Sequence, residues 1–164
     1  MLSESARATS AAEARFRVQA PNSAPRRVSV VALDAAGAAL AAELAALSWT
    51  GARFLNCPMT AVRGERLDAF LADLAGTTRR LLEVVEASDL VVMLAGGPEG
   101  EAAAAAIGEA AAARRVTVVG IVLAGGTAGA ALACTLGVLR PHVGMLVVAE
   151  DRDYAAAMLE ALRA

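Results

Sequence analysis

From Arg27 onward, short apolar runs alternate along the chain with stretches of helical period. RVSVVAL (27–33) is short and rich in β-branched residues, which reads as a first strand. AAGAALAAELAALS (35–48) sets Leu40, Leu44 and Leu47 on one helical stripe. GARFLNC (51–57) is a second strand, closed by Cys57-Pro58. The segment 64–87 reads as one or two helices. Leu67, Phe70, Leu71 and Leu74 share a face there, Gly76 interrupts it, and Leu81, Leu82 and Val85 resume it. LVVMLA (90–95) is the third strand, and an alanine-rich helix follows over 100–114. VTVVGIVLA (116–124) is the fourth strand, and GGTAGAALACTLGVL (125–139) is a loop and helix limited by Pro141. GMLVVAE (144–150) is the fifth strand, and RDYAAAMLEALR (152–163) is a closing amphipathic helix.

The strands are continuously apolar rather than alternating, which is the mark of a parallel sheet covered on both faces. The pattern predicts a single three-layer α/β/α, Rossmann-like domain over 26–164, with a five-stranded parallel sheet in the order 2-1-3-4-5. Residues 1–25 read as a disordered tail. Ligand crevices in such sheets open where the strand order reverses, here between strands one and three. The loops flanking that point hold Asp34 to Gly37 and Gly96 to Glu101.

Composition changes this picture in three ways. The chain of 164 residues is 57% hydrophobic with a mean hydropathy of +0.54, values that raise the question of a membrane protein. The excess is mostly alanine, so no membrane span is expected. Net charge is −2, aromatics are 3%, and basic residues cluster only as the pairs Arg26-Arg27, Arg79-Arg80 and Arg114-Arg115, which argues against nucleic acid as a partner. Cys57 and Cys134 are too few and too far apart for a disulfide framework or metal site. Residues 1–25 lack the apolar core of a signal peptide, so a cytoplasmic location is expected.

The candidate chemistry is sparse. A dinucleotide fingerprint needs G-x-G-x-x-G after strand one, where LDAAGAAL has a single glycine. The Walker lysine cannot exist in a chain whose 15 basic residues are all arginine. Asp34 suits either an N-cap or a ligand hydroxyl. Gly96 and Gly97 let a backbone approach a ligand closely or make a tight turn. Glu99 and Glu101 favour a helix dipole and oppose a bound phosphate. Gly125, Gly126 and Thr127 open a helix with small residues, a composition that accepts anions or simply caps. Cys57 reads as packing or a thiol without a base, and His142 as a surface group near a helix end.

Three stretches resemble the nucleotide-binding half of the tubulin-like bacterial division GTPases, the FtsZ family: RVSVVALDAAGAALAAEL, EASDLVVMLAGGPEGEAAAAAIGEAAAARRVTVVGIVL and LRPHVGMLVVAEDRDYAAAMLEAL. The resemblance implies a pocket with Asp34, Ala35 and Gly37 on one lip, Ala95, Gly96, Gly97 and Gly100 on the other, and Asn56 in a lining turn. The family's signature loop is G-G-G-T-G-T-G; AGGPEGE (95–101) keeps three glycines and loses both threonines. The family's catalytic acidic loop and second domain have no counterpart in this sequence, so family-type GTP hydrolysis is not expected. The resulting expectation is a non-catalytic binding protein with a weak site for GTP, GDP or another small anion, and with no catalytic or metal-binding residues. A ligand-free subunit that binds a partner protein or forms a homodimer is the alternative, and a small enzyme using Asp34 and Cys57 stands third.

Overall fold

The computed structural model describes residues 25–57, 70–74, 76–124 and 129–164. The tail expected at 1–25 therefore lies outside the described residues, apart from Pro25. The elements are β1 (Val28–Ala32), α1 (Ala35–Ala45), β2 (Ala52–Asn56), β3 (Phe70–Asp73), β4 (Thr78–Arg80), α2 (Leu81–Glu86) and β5 (Leu90–Ala95). A 3₁₀ turn (Pro98–Gly100) leads into α3 (Glu101–Arg114), β6 (Thr117–Leu123) and α4 (Ala130–Leu139). A second 3₁₀ turn (Arg140–His142), β7 (Met145–Ala149) and α5 (Arg152–Ala161) complete them.

One seven-stranded sheet runs β4-β3-β2-β1-β5-β6-β7. The expected five-stranded sheet in the order 2-1-3-4-5 is thus corrected. β1, β2, β5, β6 and β7 are mutually parallel, but β3 and β4 extend the sheet antiparallel beyond β2. The two added strands come from the segment read as helical, in which only 81–86 is an α-helix among the described residues. Gly76 has φ +86°, a conformation that suits glycine and turns the chain instead of interrupting a helix. Asp73 fixes that turn by accepting from the Thr77 amide at 2.8 Å, while its carbonyl accepts from Gly76 at 2.9 Å.

Successive residues of the central strands bury into opposite layers. Val28, Val30 and Ala32 of β1 join Leu90, Val92 and Leu94 of β5 against Leu40 and Leu44 of α1 and Leu159 of α5. Val31, Leu33, Val91 and Met93 face α2, α3 and Leu139 of α4. Burial on both faces is why these strands carry no polar alternation. α3 buries six alanines and Ile107, and side chains that small let its backbone lie close to the sheet. The uncharged stretch 116–139 is long enough to raise the question of a span. Its described part is divided between β6 and the ten-residue α4, and no described helix is long and apolar enough to cross a membrane.

Candidate functional site: the β1–β5 crevice

β1 and β5 are neighbours whose following helices lie on opposite faces of the sheet, so a crevice opens beyond their carboxyl ends. Pairing continues one residue past β1, with the Leu33 amide donating to Leu94 at 2.9 Å. Asp34 follows in extended conformation and caps α1, its Oδ1 accepting from the Gly37 amide at 2.7 Å. The other oxygen turns across the crevice. Oδ2 accepts from the amides of Gly96 and Gly97, both at 2.9 Å, across 62 and 63 residues of sequence. One carboxylate therefore gathers three backbone donors from two loops, the arrangement such loops otherwise offer to a bound anion.

The glycines are explained by this closeness rather than by unusual dihedrals. A Cβ on Gly37 would strike the Leu94 carbonyl oxygen, and one on Gly96 would come within 2.5 Å of Ala36 Cβ. A Cβ on Gly100 would lie 2.5 Å from that of Leu33. A cavity of about 510 Å³ remains, lined by Asp34, Ala35, Ala36, Gly96, Gly97 and Glu99. Glu99 is exposed in the 3₁₀ turn, where Pro98 removes one further amide donor.

The structure gathers Asp34, Ala35, Gly96 and Gly97 on this cavity, with Gly37 behind it and Gly100 packed beneath its lip. Ala95 is buried at the end of β5 and does not line the cavity. Asn56 ends β2 opposite Ala32. Its Oδ1 is buried and has no hydrogen-bond partner among the described residues. Gly125, Gly126 and Thr127 lie outside the described residues. Cys57 is buried next to Asn56, and desolvation pushes its thiol up to about 11, which holds it protonated at neutral pH.

His142 belongs elsewhere. It lines a groove of about 740 Å³ with Gly108, Thr117 and Gly144, at the amino ends of β6 and β7, the opposite end of the parallel sheet from Asp34. Among the described residues no group of three His, Cys, Asp or Glu side chains is placed to hold a metal ion.

The sequence pointed to the capping role of Asp34 but not to its cross-crevice bonds. The usable signal was the pairing of an Asp after one central strand with two glycines after its neighbour. No protein-family model matches the chain, and the comparison with curated proteins finds no similar sequence. Fold and site together define a mixed α/β domain, with one seven-stranded sheet and a crevice whose backbone donors are held by the protein's own carboxylate.

Proposed function

We propose that the chain is a non-catalytic binding domain, a reduced relative of the tubulin-like division GTPases whose nucleotide crevice no longer takes a polyphosphate. The observation that carries this reading is the threefold engagement of Asp34 by Gly37, Gly96 and Gly97. Hydrogen bonds to a charged acceptor contribute about 1.5–3 kcal/mol each. An incoming phosphate would have to break three such bonds and then lie beside the displaced carboxylate and Glu99. The cavity instead suits a small neutral or cationic group, which would meet alanine methyls on one side and carboxylate oxygens on the other.

Removing the carboxylate tests the reading. In Asp34→Gly the three amides are released, and inorganic phosphate added at millimolar concentration raises the melting temperature of the variant. The same addition leaves the native protein unchanged. A phosphate response in the native protein equal to that of the variant would overturn the reading.

A further inference from the structure

The two edges of the sheet are treated in opposite ways. β4 at one end has three residues, all exposed, and carries Arg79 and Arg80. Short length and charge are how proteins discourage an edge strand from pairing with another chain. β7 at the other end is Met145-Leu146-Val147-Val148-Ala149, with no charge, proline or glycine within it. Met145 is 40% exposed, and Leu146, Val147 and Val148 are each only partly buried. The Ala149 carbonyl accepts from the Ala124 amide just past β6, in register with the pairing of Leu123 and Ala149. By the alternation of a parallel ladder, Met145, Val147 and Ala149 bond to β6, and the NH and CO groups of Leu146 and Val148 point to the open side.

Charge is divided between the ends of this strand. Arg140 and His142 sit in the turn before it, while Glu150, Asp151 and Asp153 follow it with Arg152 as the one intervening cation. Two copies paired antiparallel about Val147 would set the basic turn of each beside the acidic turn of the other. A parallel pairing would set like charge on like. We propose that β7 is a self-association edge, on which a second copy of this chain pairs antiparallel about a two-fold axis to continue the sheet. A two-fold closes the assembly, because each copy spends the one unguarded edge of the sheet among the described residues and the β4 edges remain outside. α4 adds to the face beside β7, since it buries only Thr135 and Leu139 and leaves Ala133, Cys134 and Gly137 exposed.

The test is the molar mass of the full chain by sedimentation equilibrium over micromolar to submillimolar concentration, with hydrogen exchange recorded at both extremes. The expected result is a monomer–dimer equilibrium in which the Leu146 and Val148 amides gain protection as the dimer fills. Val148→Pro, which removes one outward amide from an edge strand that tolerates proline, should abolish the dimer. Arg140→Glu should weaken dimerisation several-fold, and adding Glu150→Arg should restore it. A monomer at every concentration overturns the proposal. So does a dimer in which the Leu146 and Val148 amides exchange as fast as in the monomer, a readout that stands even if the proline variant fails to fold.

Discussion

Replacing Asp34 by Asn separates its two roles. Asn is as good an N-cap as Asp, so the amide oxygen can still accept from Gly37 at the start of α1. The amide nitrogen then faces the amides of Gly96 and Gly97, donor against donor, where the native Oδ2 accepts from both at 2.9 Å. Two charge-assisted bonds at about 1.5–3 kcal/mol each set the upper limit of the loss. The site is only part-buried, so water replaces some of it, and the expected loss is about 2–4 kcal/mol. For a domain of this size each kcal/mol moves the midpoint by roughly 2–4 °C, so the variant should melt roughly 5–15 °C below the native protein. Urea unfolding gives the free energy, and hydrogen exchange at Gly96 and Gly97 reports the bonds themselves. Both amides should exchange slowly in the native protein and quickly in Asp34→Asn. A variant within about 0.5 kcal/mol of native, with unchanged exchange at those glycines, would refute the clasp.

Gly37→Ala drives a methyl into the Leu94 carbonyl oxygen and should cost about 1–3 kcal/mol by denaturant unfolding. The buried Ser29 and Ser88 hydroxyls lie 2.7 Å apart, and Ser88 donates onward to the Val84 carbonyl at 2.6 Å. Ser88→Ala should therefore lose about 1–3 kcal/mol, more than Ser29→Ala, with a double-mutant cycle showing coupling. Asp89 receives two side-chain bonds and one backbone bond from Arg27, which holds its carboxyl down at about 2 against an ordinary 3.8. A depressed folded-state value means stabilisation that is complete above the ordinary value and lost as pH falls through the depressed one. Asp89→Asn should accordingly flatten the acid limb of stability between pH 4 and pH 2. Thiol labelling near neutral pH should modify exposed Cys134 quickly and buried Cys57 only on unfolding.

The strands that lie between two helical layers were legible in the sequence because burial on both faces leaves no room for polar alternation. LVVMLA and RVSVVAL carry that mark, and their place beside each other follows from the way parallel sheets reverse their strand order. The hairpin of β3 and β4 was not legible. Phe70, Leu71 and Leu74 satisfy a helical period, while Thr78, Arg79 and Arg80 are all exposed and show no strand pattern of their own. Pairing with β2, a contact remote in sequence, decided that segment. At the site, local rules identified Asp34 as a cap because a cap is made within three residues. The bonds to Gly96 and Gly97 depend on two loops meeting across the sheet, which no local window contains. The first two amides of GGPEGE already donate to Asp34, and on the function proposed above its carboxylates face no polyphosphate.

The most direct test of the central claim is equilibrium binding of GTP and GDP, with and without magnesium, read as thermal stabilisation of the native protein. A ligand at a hundred times its Kd adds about 2.7 kcal/mol, a rise of roughly 5–10 °C here. An internally filled crevice gives no rise with either nucleotide. A rise with guanine nucleotides that Asp34→Asn alters would contradict it, because the donors of Gly37, Gly96 and Gly97 would then be serving a phosphate.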